Sequence, residues 1–431
     1  NPMKNFSQFL LLFLLGVCSV NAQQEKGIKG STSWLNNWTE FKPNKKDYGE
    51  ANQILAGNIT ENTRLYKKNV YLLQGNVYVS NKAVLTIEPG TVILADTGSS
   101  ATLIITKGAT IIADGLETDP IVFTSNKAMK KAGDWGGIIL LGDAPTNKFG
   151  NVSSVNFELD NYLSTYGGDN SNSNSGIFRY VRIEFAGKKV KSFGNFNALL
   201  LAGVGNKTIL DNIMVSYSLG NAFEIYGGEV NLNKLVSFKT NCIDYSFNYG
   251  TQSKIDNSLA IRNSYVSSSL GSKCLSVISY DTKSQVDFSK KHTSVIATNL
   301  TFVNDSDKLN QDIEKGLIKE AVFVGENASL DFRRGVISGF NPAVLLDDKI
   351  EITAKNLNKI KFQEMYFNLC NGNIFTKNNP NNEDLENWYG NSVFFNVYSQ
   401  SDNLETFVDF SNEKRPDFRL RLGKITASNN N

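Results

Sequence analysis

The sequence predicts an all-β chain wound into a parallel β-helix, and three observations predict it. LTIEPGTVILAD, from Leu85 to Asp96, recurs eighteen residues later as LIITKGATIIAD, from Leu103 to Asp114, glycine over glycine and Ala-Asp over Ala-Asp. Another eighteen residues on, IVFTSN (Ile121 to Asn126) falls under LIITKG, with Asn126 at the turn glycine, which reads as three coils in register. MVSYS, from Met214 to Ser218, returns after twenty-one residues as LVSFK, from Leu235 to Lys239. Short β-rich runs closed by Gly or Asn at a period of about twenty residues mark stacked coils whose strands pair with the coils above and below. Burial explains the stacking. If one coil hides about six aliphatic side chains at roughly 1.5–3 kcal/mol each, it gains less than the roughly 1–2 kcal/mol per residue needed to order it. A lone coil does not stay folded.

Composition agrees. The 431 residues are 41% hydrophobic, enough for a core, and 34 glycines against 8 prolines suit strands joined by many turns. A net charge of +2 from scattered residues excludes nucleic acid and an anionic membrane surface as expected partners.

Taken in chain order, residues 3–22 read as a signal peptide: Lys4 follows Met3, FSQFLLLFLLGVCSV is apolar but short for a bilayer span, and VNA ends at a cleavable Ala22. A lipid anchor at Cys18 is disfavoured, because Val17 is bulky where a lipobox prefers a small residue. Residues 23–56, with Trp34 and Trp38, read as an N-terminal extension capping one end. Residues 57–350 hold the β-helix, including WGGIILLGD (Trp135 to Asp143), FRYVRIEFAG (Phe178 to Gly187), ALLLAGVGN (Ala198 to Asn206) and AVFVGENASLDFRRGVISGF (Ala321 to Phe340). Two polar stretches, Lys148 to Ser175 and Asn263 to His292, are expected to leave the coil as loops. From 351 to 431 the pattern changes to a short helix near Ala354 to Lys359, an Asn-rich stretch at Asn378 to Asn382 and SVFFNVYS at Ser392 to Ser399, read as a C-terminal cap over the last strand edges. No transmembrane segment is expected in the mature chain. Its three cysteines, Cys242, Cys274 and Cys370, are odd in number and lack CxxC spacing, so buried free thiols are expected.

GDWGGIILLGDAP (Gly133 to Pro145), YGGDNSNSNSGIFRYVRIEFAG, LLLAGVG, VSYSLGNAFEIYGG and DFRRGVISGF together resemble a family of secreted β-helix proteins common in Bacteroidota and left without an assigned function. The resemblance covers roughly residues 57 to 350. It implies a right-handed, pectin-lyase-like solenoid and a place on the surface, or the periplasmic side, of a Gram-negative outer membrane. The chain also departs from that family. Where relatives carry an acid-rich D-D-D-F-D-T-D-F-G run, it reads CIDYSFNYG from Cys242 to Gly250, keeping only Asp244, and Gly220 and Asn221 stand where relatives often have two aspartates. Stacked carboxylates need a hard cation between them, so their loss puts such a site in doubt. No sorting domain for type 9 secretion is expected after Leu420.

The chemistry expected is sparse. One histidine, His292 in a polar stretch, excludes a zinc cluster of His ligands and reads as a solvated loop residue. No catalytic residue is assigned. The lyase-type alternative, by analogy with calcium-assisted β-helix lyases, uses Arg179, Arg182 and Glu184 alternating on one strand, with Asp211, Glu224 and Asp244 on later coils; a solvated charged face explains the same pattern. A calcium ion in the Gly168 to Gly176 loop is the alternative for Asp169 and Asn170, although only Asp169 is charged. Gly136 and Gly137 belong to no phosphate loop. Of Arg333 and Arg334, strand alternation sends one inward to an acidic partner. Tyr217, Phe223, Tyr226, Phe238, Tyr245, Phe247 and Tyr249 crowd two adjacent coils and form the candidate contact surface, with half of them turned inward. The functional expectation is therefore an exported, non-enzymatic scaffold contacting a protein partner, as an accessory subunit of an outer-membrane complex. The alternatives are a polysaccharide-binding or lyase-like protein and a surface adhesin.

Overall fold

A computed structural model describes residues 25–264, 266, 271–370, 372–378 and 382–429. The expected signal peptide at 3–22 and Cys18 lie outside the described residues. Within them, 29 strands form one ladder system in which every pairing is parallel, so consecutive coils, not hairpins, build the core. This is a right-handed parallel β-helix, the hand that right-twisted strands impose on parallel crossovers.

Each coil contributes to three sheets. Sheet I stacks Val92–Ala95, Ile121–Ser125 and, farther along, Val236–Phe238, Leu259–Arg262 and Thr301–Asn304. Sheet II stacks Thr102–Ile105, Gly137–Leu141, Leu199–Ala202, Phe223–Tyr226 and Ile243–Asn248. Sheet III stacks Val84–Ile87, Thr110–Asp114 and later Gln252–Asp256, Ser294–Thr298 and Ser329–Arg333. From Tyr180 onward a single left-handed residue makes the corner between sheets III and I, whereas residues 88–91 and 115–120 span it in the first coils. Tyr180, Asn212, Lys234, Asn257, Asn299, Arg334 and Glu364 occupy it on successive coils, each in the left-handed region with φ between 47° and 57°. One such residue turns the chain sharply, at the expense of a conformation that L-residues other than Asn and Asp rarely adopt.

The strand register corrects two expectations. Leu85 pairs with Ile111, so the coil there is 111 − 85 = 26 residues long. The eighteen-residue match is about two-thirds of a coil: it lays sheet III and I strands over sheet II and III strands, not coil over coil. Similarly Met214 pairs with Val236, 22 residues on, because the corners at Asn212 and Lys234 are 22 apart; aligning it with Leu235 is off by one. A one-residue slip exchanges inside for outside. The corner also breaks alternation at the arginine pair. Arg334 sits at the turn, and Arg333 is exposed and gripped by Asp331 at 2.8 and 2.7 Å, so neither enters the core.

The interior is aliphatic at the first coils and aromatic later. Phe223 stacks on Tyr245 (5.4 Å), Tyr245 on Phe302 (6.3 Å), Phe302 meets Phe332 (5.7 Å) and Phe332 meets Phe362 (6.1 Å). Coils continue past 350 to Phe375–Thr376, with Val397–Ser399 as a last sheet I strand, so the β-helix is longer than the sequence pattern indicates. Helix Glu383–Tyr389 closes that end, with Tyr389 stacked on Phe375 at 4.3 Å and its hydroxyl donating to the Ile360 carbonyl.

The N-terminal extension is not an end cap. It runs down the outside of sheet I: Gly27 N–H donates to the Arg334 carbonyl, Ile28 N–H to Thr301 Oγ1, and the Arg182 guanidinium reaches Tyr48 Oη. Sheet I has an apolar outer face, and Ile28, Leu35, Trp38 and Phe41 cover it with Phe407, Phe418 and Leu420 from the C-terminal hairpin Phe407–Asp409 and Asp417–Leu420. The expected first loop folds back in the same way, placing Val155, Leu159 and Tyr166 on the outer face of sheet II.

The aromatic column is the feature to test. Phe332 is fully buried between Phe302 and Phe362, so Phe332→Ala should lower stability by about 3–5 kcal/mol, read as a reduced urea midpoint at unchanged slope.

Candidate binding groove

Gly228 and Gly250, 22 residues apart, turn the chain from sheet II to sheet III on consecutive coils with φ of +74° and +83°. A Cβ on Gly228 would meet the Val204 carbonyl at 2.2 Å, and one on Gly250 would meet the Lys291 carbonyl at 2.7 Å. Only glycine lets neighbouring backbone approach so closely. The second expected loop, Asn263 to His292, is interrupted by Lys273–Val277, a strand of sheet II, and only its later part meets the first excursion at this corner. Lys148 and Val286 form an antiparallel bridge, Asn147 Nδ2 donates to the Ser279 carbonyl, and Lys290 Nζ donates to the carbonyls of Lys148 and Gly150, both at 2.6 Å.

Between the excursions and the glycine corners lies a groove of about 340 Å³, within the size range of small-ligand sites. Its polar groups include Asp169, Glu229, Gln252, Ser289, Lys290 and Lys291. Two carboxylates balance two ammonium groups, leaving the lining neutral but rich in donors and acceptors. Several are held in place: Asn206 Nδ2 donates to Glu229 Oε1 at 3.3 Å, and Gln252 Nε2 donates to the His292 carbonyl at 2.7 Å. Phe149 and Phe288, adjacent in sequence to lining residues, are 61% and 48% exposed. Beside the groove, Lys148 lies over the Tyr249 ring at 4.1 Å, and burial lowers its pKa.

The residues singled out in the sequence do not converge. Asp169 lines the groove and accepts from Asn151 Nδ2 at 3.4 Å, whereas the Asn170 side chain turns its Nδ2 to the Asp143 carboxylate at 3.5 Å, so the two have different side-chain partners. Among the described residues no group of three or more His, Cys, Asp or Glu side chains is arranged to hold a metal ion.

The lyase-type set is dispersed among intramolecular partners. Arg179 grips Asp114 through Nε and Nη2 at 2.7 and 2.8 Å. Arg182 and Glu184 are buried under the N-terminal strap, 3.4 Å apart, and burial raises the Glu184 pKa. Asp211 accepts from Asn233 Nδ2. Asp244 forms a fully buried ion pair with Arg262 at 2.9 Å, supported by Ser237. Breaking such a pair leaves an uncompensated buried charge, which gives Asp244 a structural role. His292 is exposed, and Cys242, Cys274 and Cys370 are buried and unbonded to one another.

The candidate contact surface is not a surface. Phe223, Tyr245 and Phe247 point into the core, while Phe238 and Tyr249 are 7% and 4% exposed and Tyr217 and Tyr226 are half-buried. Alternation correctly splits the set, but the chain covers its outward half. Phe41 packs edge-on to Phe238 at 5.1 Å, and Tyr166 lies 6.4 Å from Tyr226. These outward aromatics are docking points for the protein's own strap and loop. The groove residues Glu229, Gln252, Lys290 and Lys291 escaped sequence reading; the 22-residue spacing of Gly228 and Gly250 was the available signal.

With coils, corners and groove in view, the family comparison is decisive: residues 57–405 match the model of the pectate-lyase-like β-helix domain. The chain belongs to that family. No curated protein and no solved structure matches it. The pectate-lyase-like match runs past residue 350 and agrees with the coils that the structure adds there. The coil architecture and the family thus extend over the same stretch of chain.

One buried acid gives a pH prediction. Glu224, on the outer face of sheet II, accepts from Asn221 Nδ2 and Ser246 Oγ, yet burial pushes its pKa up to about 8. The unfolded chain ionises this group near pH 4.3, so its ionisation costs stability progressively as pH rises from there through 8. Glu224→Gln should therefore melt above wild type at pH 8.5 and converge with it near pH 4.5. A melting difference that does not vary with pH defeats this account.

Proposed function

We propose that the protein is an exported, non-catalytic β-helix scaffold that holds a stretch of neutral glycan at the exterior of a Gram-negative envelope. The groove at the glycine corners carries this reading. It is concave, neutral overall and furnished with fixed donors and acceptors, and two exposed phenylalanines, Phe149 and Phe288, adjoin lining residues in the sequence. That chemistry suits hydroxyl-rich sugar rings, whose polar edges hydrogen-bond while their apolar faces stack. The absence of catalysis is part of the proposal. The acids and arginines that a lyase or hydrolase needs are engaged in pairs under the strap or within the wall: Arg179 with Asp114, Arg182 with Glu184, Asp244 with Arg262.

The accessory-subunit reading rested on an aromatic surface that the chain itself covers. Export rests on the apolar segment at 3–22 and on the resemblance to secreted proteins. The test is affinity electrophoresis of the mature chain from Gln23 through gels containing neutral polysaccharides, alongside absorbance assays for unsaturated uronates with calcium added. Retardation by at least one neutral polysaccharide is expected, weakened about tenfold by Gln252→Ala or Phe288→Ala, with no rise in absorbance. Unretarded migration in every gel removes the glycan reading, and release of unsaturated sugars removes the non-catalytic one.

A further inference from the structure

The N-terminal strap and the C-terminal hairpin reach sheet I from opposite ends of the chain and do not close over it completely. Between them is a cavity of about 480 Å³. Tyr217 and Phe238 form its floor, with Phe41 on the strap side and Phe410 and Phe418 on the hairpin side. The rings meet edge to face: Phe41 with Phe238 at 5.1 Å, Tyr217 with Phe238 at 5.7 Å and Phe410 with Phe418 at 5.8 Å. A second cavity of about 400 Å³ shares Phe41, Lys42 and Lys45 with the first and continues it along the strap.

The rims are strongly basic. Lys42, Lys45, Lys46, Lys239, Lys414 and Arg415 line the two cavities with Glu40, Asp305 and Glu413, a balance of 6 − 3 = +3 in a protein whose net charge is +2. The three acids are already used: Glu413 contacts Lys42, Glu40 contacts Lys46 at 3.1 Å and Asp305 faces Lys239 at 3.7 Å. Lys45, Lys414 and Arg415 are exposed and make no salt bridge among the described residues. Lys45 lines both cavities and Lys414 and Arg415 line the second, which places three cations without a salt-bridged acid beside the aromatic recess.

We propose that this recess binds a small molecule carrying an anionic head on an apolar body. The rings receive the body and exclude water from it. Lys45, shared by the two cavities, and Lys414 and Arg415 on the adjoining one hold a carboxylate, sulfonate or phosphate through charge-assisted hydrogen bonds. Because its walls come from the two terminal segments, the ligand also joins strap to hairpin, adding to the direct Lys42–Glu413 contact and to the hydrogen bond from Arg419 Nη1 to the Gly30 carbonyl at 2.8 Å. The concavity favours a small molecule over a flat membrane surface.

The test pairs two fluorescent probes that differ by one sulfonate: 1-anilinonaphthalene-8-sulfonate and uncharged N-phenyl-1-naphthylamine. The mature protein should bind the sulfonate saturably at one site and at least about tenfold more tightly than the uncharged probe. The triple variant Lys45→Glu, Lys414→Glu, Arg415→Glu alters only exposed side chains and should retain the wild-type circular dichroism spectrum and melting temperature. It should lose most of that preference while binding the uncharged probe as before. Phe410→Ala should weaken both probes alike. Equal affinity for the two probes, an unchanged sulfonate affinity in the charge-reversed protein, or many weak sites in place of one overturns the proposal. So does binding to vesicles of phosphatidylcholine and phosphatidylglycerol by a protein that takes up neither probe.

Discussion

Parallel hydrogen bonding between one coil and the next is the constraint on which this molecule depends. It fixes neighbouring coils at strand spacing, stacks like positions on like positions, and leaves each sheet with an inner and an outer face. Inside, the stacked positions become an aliphatic and then aromatic column from Leu55 to Tyr389. Outside, the same ladder exposes two faces that are too apolar for water: sheet I around Met214, Val236 and Leu259, and sheet II around Ile104, Ile139 and Leu200. Parallel sheets in compact proteins are normally covered on both sides. Here strap, hairpin and loop do that work, which is why sequence far from the coil pattern is nonetheless packed against it.

The recesses arise from this covering. A coil wall alone is nearly flat, and concavity appears where covering segments meet without fusing. The neutral groove lies where two excursions converge on corners narrow enough to require glycine, and the basic recess lies where the chain's two terminal segments approach each other over sheet I. Their difference in character follows from what borders them. The groove has balanced charges from loops pinned by backbone hydrogen bonds, whereas the recess has lysines and an arginine on segments whose acids are already engaged. Buried ionisable groups such as Asp244, Arg262 and Glu184 belong instead to the wall and its covers.

Legibility in the sequence differed by level. The coil architecture, the polar excursion at 148–175, the buried thiols and the exposure of His292 followed from composition and local pattern. Register did not. Residue similarity aligned Met214 with Leu235, but the left-handed corners at Asn212 and Lys234 place it opposite Val236. Similarity in side-chain type carries little information about the sign of φ, and with three nearly equivalent strands per coil a match two strands out of step looks as good as a true one. The aromatic cluster failed for a different reason: alternation distinguishes inward from outward, but not outward and exposed from outward and covered.

What the sequence by itself determined was that the chain winds, because short aliphatic strands punctuated by Gly and Asn cannot bury themselves except against their own repeats. Which residues meet was decided only in three dimensions. Strap and sheet, the two excursions, and the two terminal segments are separated by up to several hundred residues along the chain, as in the Arg419 to Gly30 hydrogen bond. Contacts over such distances depend on where the whole stack carries each segment, and local periodicity holds no record of that.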